Sequence, residues 1–210
     1  MIHTDMIAKI CTAAPVIPVL TIDRVQDAQP LARALVAGGL PALEITLRTD
    51  AAMEAIAAVA EVEGALAGVG TLLTTAQIRD AKSAGATFGV SPGATDSIIK
   101  AAQDYDLPLL PGAATATEAM RLLEQGFVFQ KFFPAEATGG APALGSMAGP
   151  LPQITFCPTG GVTPENAKTY LALPNTRCVG GSWIAPKALI DAGDWEQITQ
   201  IARRAADLLE

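Results

Sequence analysis

Short apolar segments recur along the chain at intervals of about 20 residues, separated by stretches of mixed polarity. Each is short, rich in β-branched, aromatic or leucine residues and bounded by Gly or Pro, which is typical of a buried strand. Eight strands are therefore predicted, at residues 15–20, 42–47, 66–71, 87–92, 107–112, 127–134, 153–161 and 176–183.

Helical patterns occupy the stretches between these segments. Thr115 followed by Glu118 predicts a capping box at a helix start, and Gly126 lies where that helix should end. Thr163 before Pro164 predicts the start of a later helix. The i, i+3, i+4, i+7 spacing also predicts a helix with a buried face made of Met53, Ile56, Ala57 and Ala60.

This alternation of strands and helices predicts an α/β fold with a parallel sheet that is covered on both faces. The count of eight favours a closed (β/α)₈ TIM barrel, formed as a single domain by residues 1–210. A doubly wound open sheet is the alternative. The chain has no GxGxxG segment at its start, so a dinucleotide-binding version of that fold is disfavoured.

The charge balance limits the possible partners. With 14 basic and 21 acidic residues the net charge is −7, which disfavours nucleic acid and anionic membrane surfaces as partners. No signal peptide is expected, and the most apolar long window, residues 51–73, contains Glu54, Glu61 and Glu63 and is a poor membrane span. An anionic small molecule remains possible if its site supplies local positive potential.

Cysteine and histidine usage narrows the chemistry. Cys11, Cys157 and Cys178 are odd in number and lack CxxC spacing, so we expect reduced, buried thiols in a cytoplasmic protein. His3 is the only histidine and lies near the N-terminus, which disfavours Ser-His-Asp, Cys-His and histidine-based zinc sites. Acid–base chemistry then depends on Glu, Asp, Lys, Tyr or water, and we expect neither a metal nor an organic cofactor.

The segment FVFQKFFP, residues 127–134, carries one lysine among phenylalanines. Lys131 shares a strand face with Phe129 and Phe133. One explanation is an edge strand from which the ammonium group reaches solvent. The other is a buried amine whose pKa is lowered by burial and a nearby Arg48, so that its neutral form can attack a carbonyl carbon.

The segment ALEITLRTD places Glu44, Thr46 and Arg48 on one strand face. The opposite face, which we expect to pack against helices, consists of Leu43, Ile45 and Leu47. A buried Glu44–Arg48 salt bridge is the structural explanation of the polar face. The functional one is a carboxylate for acid–base catalysis and a guanidinium that binds a substrate carboxylate.

Two Gly-Gly pairs lie at the ends of the seventh and eighth predicted strands, in PTGGVTPE and VGGSW. The N–H groups of Gly160 and Gly161, followed by a helix start, suit a phosphate, and Gly181 and Ser182 end the next strand. Either pair alone is more often a turn, but phosphate sites of these barrels frequently use both loops. A lysine, a glutamate, an arginine and a phosphate site together indicate cleavage of a phosphorylated keto acid through an imine.

The segments LEITLRT, VGT, SPG, KFFPAE, CPTGG and GGSW, in this order, resemble the family of 2-keto-3-deoxy-6-phosphogluconate (KDPG) and 2-keto-4-hydroxyglutarate (KHG) aldolases. The resemblance extends from about Ile7 to the C-terminus. It implies a homotrimer of (β/α)₈ barrels that serves the Entner–Doudoroff pathway. Thr159 stands where a related galactonate-specific enzyme tends to carry an aliphatic residue, which favours the gluconate substrate.

The resemblance also implies residue roles: Lys131 forms the imine and Glu44 transfers protons. The implied substrate-binding residues are Arg48 and Thr71 at the pyruvyl carboxylate, Pro92 and Phe133 along the pocket, Thr159 at the hydroxylated portion, and Gly160, Gly161, Gly181 and Ser182 at the phosphate. Two alternatives remain: an aldolase or decarboxylase for an unphosphorylated keto acid, and a non-catalytic barrel that binds a phosphorylated ligand. The presence of both Glu44 and Lys131 disfavours the second.

Overall fold

The computed structural model describes residues 4–209, which contain ten α-helices and nine strands. His3 lies outside the described residues. The strands are β1 (Val16–Leu20), β2 (Ala42–Thr46), β3 (Leu66–Gly70), β4 (Phe88–Val90), β5 (Leu109–Leu110), β6 (Gly112–Ala113), β7 (Phe129–Phe132), β8 (Thr155–Pro158) and β9 (Val179–Gly181). The helices are α1 (Thr4–Thr12), α2 (Val25–Ala37), α3 (Ala52–Ala60), α4 (Thr75–Ser83), α5 (Asp96–Asp104), α6 (Ala116–Glu124), α7 (Gly140–Ser146), α8 (Pro164–Leu171), α9 (Lys187–Ala192) and α10 (Trp195–Ala206).

The strands form a closed parallel barrel. One run is hydrogen-bonded in the order β5-β4-β3-β2-β1-β9 and a second in the order β6-β7-β8. The runs are continuous at β5 and β6, and parallel bridges from Phe156 to Thr176 and from Thr159 to Gly180 connect β8 with the chain of β9. The predicted (β/α)₈ barrel is confirmed, and the doubly wound open sheet is wrong because both ends of the sheet are paired.

The fifth predicted strand differs from expectation, since it is broken into β5 and β6 on either side of Pro111. Proline has no N–H to donate to the ladder. The chain changes its partner here, from β4 on one side to β7 on the other. The Pro111 carbonyl still accepts a hydrogen bond from the Lys131 N–H at 2.8 Å, which fixes the start of the β6–β7 pairing.

The outer layer follows the sequence patterns, with one correction. Leu43 and Ile45 pack in the core between barrel and helices, as predicted. Helix α3 forms as predicted, but its predicted buried face is wrong in register, because Ala57 and Ala60 are exposed. The buried face is Ala52, Ala55, Ile56 and Val59. No helix of residues 4–209 is long and apolar enough to cross a membrane, and the apolar window at 51–73 holds α3 and β3.

The predicted helix signals are confirmed. The Glu118 carboxylate accepts hydrogen bonds from the backbone N–H groups of Ala114 at 2.8 Å and Thr115 at 2.9 Å, which lower the pKa of Glu118. Gly126 follows α6 in the left-handed region, with φ of 89°. Helix α8 begins at Pro164. These caps fix where the loops above the barrel enter the helices.

The N-terminal end of the barrel interior is filled by an apolar cluster that helix α1 covers. Residues of α1 pack there with inward-facing strand residues, and the buried members are Ile7, Ile10, Cys11, Ile17, Ala42, Phe88, Val90, Leu110, Cys157 and Cys178. The prediction of free, buried thiols is confirmed. Hydrogen bonds of the Cys178 thiol with Cys11 and then with Cys157, together with burial, raise the pKa of Cys178. We call this set the lower interior.

Candidate active site

Beyond the lower interior, the next inward positions of three strands are polar. Glu44 lies two residues after Ala42, Lys131 two residues after Phe129, and Thr159 two residues after Cys157. All three polar residues are buried. The C-terminal end of the barrel interior therefore holds the ionisable side chains, where (β/α)₈ barrels carry their active sites. We call these three residues the upper interior.

Lys131 and Glu44 form a buried ion pair across the barrel. The Lys131 Nζ lies 3.1 Å from Glu44 Oε1, and the two side chains are 7% and 4% exposed. Strand β7 is paired on both sides, with β6 and with β8, so the edge-strand explanation of the lysine is wrong. The buried Glu44–Arg48 salt bridge is also wrong, because Lys131 is the partner of Glu44 and Arg48 is exposed.

The neighbouring strand β3 has glycine where a side chain would occupy the space of the Glu44 carboxylate. A Cβ on Gly70 would lie 2.4 Å from Glu44 Oε1, closer than real contacts allow. A Cβ on Gly68, one inward position earlier, would likewise lie 2.1 Å from the Phe88 ring. Glycine on this strand thus makes space for a phenyl ring in the lower interior and for a carboxylate in the upper interior.

An aromatic residue connects the amine to the loop after β8. The Lys131 Nζ lies 5.2 Å from the centre of the Phe133 ring, within cation–π range. A Cβ on Gly160 would lie 3.3 Å from the same ring, so Phe133 packs between the amine and that loop. Phe133 and Pro92 also line a cavity of about 720 Å³ between the start of α5 and α6, whose lining does not include Lys131 or Glu44.

Arg48 and Thr71 follow β2 and β3 at the rim of the barrel. Arg48 is exposed, and no carboxylate of residues 4–209 forms an ion pair with its guanidinium. Thr71 has φ of 63°, the left-handed region, which is a rare conformation for a β-branched residue. Such strain costs about 1–3 kcal/mol and is concentrated at functional sites.

The loop of residues 159–162, which we call the glycine loop, is held from one side by hydrogen bonds to its carbonyl groups. Gly160 and Gly161 adopt positive φ of 98° and 80°, which glycine permits. The three bonds run from Ala135 N–H to Thr159 O (2.8 Å), from Glu136 N–H to Gly160 O (3.0 Å) and from Asn166 Nδ2 to Gly161 O (3.1 Å). Asn166 also caps α8 by accepting from the Thr163 N–H at 2.8 Å.

The N–H groups of the glycine loop point away from the side on which its carbonyl groups accept hydrogen bonds. In a trans peptide the N–H points opposite to the preceding C=O, so the N–H groups of Gly160, Gly161 and Val162 point away from the bonds just described. Within the described part of the chain, the N–H groups of Gly161 and Val162 donate no hydrogen bond, whereas the parallel bridge between Thr159 and Gly180 brings Gly160 next to β9. Successive outward N–H groups in this conformation form a concave anion-binding site.

The second Gly-Gly pair lies beside the glycine loop, at the end of β9. A Cβ on Gly180 would lie 2.2 Å from Thr159 Oγ1, and one on Gly181 would lie 2.1 Å from the Trp183 ring. Gly181 is buried and Ser182 is exposed next to it. The parallel bridge from Thr159 to Gly180 brings both loops together, as the sequence predicted.

Sequence reasoning missed two residues behind the glycine loop, Glu136 and Tyr170. Glu136 Oε1 accepts a hydrogen bond from the Tyr170 hydroxyl. A Cβ on Gly161 would lie 2.6 Å from Glu136 Cγ, so a side chain at this position would clash with Glu136. Their separation of 34 residues leaves no local signal, although Glu136 ends the KFFPAE segment.

Comparison with known proteins places this site in a family. The family model for KDPG and KHG aldolase matches residues 7–201. The 2-dehydro-3-deoxy-phosphogluconate aldolase of Pseudoalteromonas atlantica is 48% identical over 192 residues, 91% of this chain and 89% of that protein.

Two solved structures share the fold closely. The KDPG aldolase of Zymomonas mobilis ZM4, crystallised with 3-phosphoglycerate, has a TM-score of 0.92 and 47% identity over 98% of this chain and 97% of that one. The KDPG aldolase of Legionella pneumophila, with pyruvate captured as a covalent carbinolamine, has a TM-score of 0.91 and 44% identity over 94% of this chain and 97% of that one.

Proposed function

The chain belongs to the family of KDPG and KHG aldolases, and we propose that it cleaves KDPG to pyruvate and glyceraldehyde 3-phosphate through an imine on Lys131. It is an aldehyde-lyase. The observation that carries the residue assignment is the buried contact of 3.1 Å between the Lys131 amine and the Glu44 carboxylate. A nucleophile and a proton-transfer group within hydrogen-bond distance are what imine chemistry requires.

In the proposed reaction, the Lys131 ammonium first passes a proton to Glu44, and the neutral Nζ attacks the C2 carbonyl carbon of KDPG to give a carbinolamine. Glu44 returns the proton to the carbinolamine hydroxyl, which leaves as water, and a protonated imine remains. The C4 hydroxyl then loses its proton as the C3–C4 bond breaks, and that electron pair moves into the imine. Glyceraldehyde 3-phosphate leaves, and the remaining enamine takes a proton at C3. Water hydrolyses the new imine, releases pyruvate and regenerates the amine.

Glu44 is the residue we assign to these proton transfers. Its carboxylate touches the amine, so it lies where the carbinolamine must gain and lose protons. It can act on the C4 hydroxyl and on C3 directly or through one water. Arg48 and Thr71 are assigned to the pyruvyl carboxylate at the rim, with Pro92 and Phe133 along the pocket.

The phosphate end is assigned to the glycine loop and the end of β9. The outward N–H groups at Gly160 and Gly161, with Gly181 and Ser182 beside them, supply hydrogen-bond donors for an anion. These donors supply the local positive potential that an anionic substrate needs in a protein with a net charge of −7. Thr159 is assigned to the hydroxylated carbons between the two ends, and the phosphate donors favour KDPG over the unphosphorylated keto acid KHG.

We further propose that the protein is cytoplasmic, forms a homotrimer and serves the Entner–Doudoroff pathway, as expected for this family. A phosphorylated keto acid is the only partner the site calls for. Sedimentation analysis tests the trimer, since a monomer of 21.6 kDa and its trimer separate clearly.

Borohydride reduction in the presence of pyruvate tests the central proposal. We expect a pyruvate-derived adduct on the peptide that contains Lys131. Lys100→Ala is the matched control, because Lys100 is an exposed lysine on α5 and its removal should leave labelling intact. An adduct on another lysine would contradict the assignment. A protein that binds phosphate but traps no pyruvate would instead be the non-catalytic barrel.

A further inference from the structure

Glu136 supports the glycine loop with both its main chain and its side chain. Its N–H donates to Gly160 O at 3.0 Å. Its side-chain carbons lie against Gly161, where an added Cβ would be 2.6 Å from Cγ and 2.7 Å from Cβ. Both contacts are on the carbonyl side of the loop, opposite the outward N–H groups. Glu136 therefore sets the position of the loop without entering the anion site.

A carboxylate so near an anion site is an electrostatic problem. The charge of Glu136 would repel a phosphate if the side chain rotated toward the N–H groups. The Tyr170 hydroxyl donates a hydrogen bond to Glu136 Oε1 and holds the carboxylate in place. Tyr170 is itself fixed, since its side chain on α8 is fully buried.

The tyrosine remains a donor across the working pH range. Burial, followed by the hydrogen bond and charge of Glu136, raises the pKa of Tyr170. A hydroxyl that stays protonated can donate to the carboxylate.

We propose that Glu136 and Tyr170 are positioning residues for phosphate selectivity: Glu136 supports the glycine loop, and Tyr170 keeps the Glu136 carboxylate out of the phosphate site. This inference rests on the proposed function and deepens it. Neither residue touches the reacting carbons. Their effect falls on binding of the phosphate and not on the chemistry at Lys131.

The first test is Tyr170→Phe, which keeps the buried ring and removes only the hydroxyl. Loss of a hydrogen bond to a charged group predicts KM for KDPG about tenfold higher, with kcat within about twofold. For KHG, kcat/KM should stay within about twofold, because that substrate has no phosphate. Equal losses on both substrates would overturn the proposal.

A double variant distinguishes charge from folding. Tyr170→Phe combined with Glu136→Gln removes the freed charge, so KM for KDPG should return to within about threefold of the wild-type value. Glu136→Gln alone keeps an acceptor for Tyr170 and should also stay within about threefold. If KM for KDPG is as high in the double variant as in Tyr170→Phe, the proposed repulsion between the Glu136 carboxylate and the phosphate is overturned.

Glu136→Ala tests the support of the loop. Removal of a negative charge alone predicts tighter phosphate binding, whereas loss of support predicts binding about fivefold weaker. Titration calorimetry with inorganic phosphate measures this directly, without the aldolase reaction. Tighter binding in Glu136→Ala would overturn the supporting role.

These measurements separate this inference from the proposed function. If wild-type protein traps pyruvate on Lys131 but calorimetry detects no phosphate binding, the aldolase stands and the inference is overturned. If it traps no pyruvate, the aldolase fails, while titration of all four variants with inorganic phosphate still supports or overturns the roles of Glu136 and Tyr170.

Discussion

At the N-terminal end of the barrel interior, Phe88 and Cys178 are fully buried among apolar neighbours, whereas at the C-terminal end Glu44 and Lys131 are almost as buried and carry charges. On β2 and β7 the two ends are only two residues apart, from Ala42 to Glu44 and from Phe129 to Lys131. Burial is therefore not what distinguishes them. The lower interior is closed by α1, and the upper interior keeps a charged pair whose burial is favourable only because the partners meet.

Lys131→Ala should show the largest difference in activity between a change in the upper interior and a change in the lower interior. We expect kcat/KM for KDPG to fall by about 10³-fold or more, since the covalent step is lost. The control is Cys157→Ala, the strand partner of Lys131 in the β7–β8 ladder. That variant should lose about 1 kcal/mol in free energy of unfolding and keep activity within threefold. Comparable activity losses in both variants would mean that the two ends are not functionally distinct.

Glu44→Gln should have the next largest effect. The amide cannot accept or return a proton, so cleavage and the exchange of pyruvate methyl protons with solvent should both fall by about 10²-fold. Proton exchange is followed by NMR and the fold by circular dichroism. Full exchange activity in a folded variant would show that this carboxylate only neutralises Lys131.

Arg48→Ala should act on binding at the rim of the upper interior. Losing a guanidinium–carboxylate contact predicts KM for keto acids about tenfold higher, with a much smaller change in kcat. Arg79→Ala is the matched control, because Arg79 is an exposed arginine that pairs with Asp80. A fall in kcat at unchanged KM would assign Arg48 to the transition state instead.

The smallest effect is expected from the thiols of the lower interior. The raised pKa of Cys178 means that its thiol stays neutral in the folded protein at pH values where the unfolded chain ionises. The resulting stabilisation is complete below the unfolded pKa of about 8.5 and is lost as pH rises above it. Urea titrations from pH 7 to 10 should show a shallower decline for Cys178→Ala than for wild type. If the free energy of unfolding falls equally steeply in both proteins, Cys178 does not contribute to the pH dependence of stability.

The sequence predicted the charged end of this comparison, because its residues are marked by local patterns. Lys131 is marked by its apolar strand, and Glu44 by the two-residue period of ALEITLRTD. Their contact was not predicted, since partners 87 residues apart leave no periodic signal, and Arg48 was taken as the nearby charge. Arg48 lies beyond the end of β2, where the strand period no longer determines direction.

Three other differences between the prediction and the structure also depend on tertiary contacts. The break at Pro111 depends on a change of strand partner, which a single apolar segment does not reveal. The register of the α3 face depends on where the helix meets the sheet, and alanine on both faces gives little contrast. Glu136 and Tyr170 were missed because each is ordinary in its local context and acquires its role only through contact.

The unbroken bonding between β7 and β8 has a consequence for substrate length. Paired residues run from Phe129 with Thr155 to Phe132 with Pro158, and main-chain bonds continue to Gly160. The Lys131 amine and the glycine loop therefore lie on adjacent backbones with a fixed offset. If the loop binds phosphate as proposed, this offset sets the number of carbons between the carbonyl and the phosphate of a well-bound substrate. A phosphorylated keto acid one carbon longer or shorter should then bind more weakly.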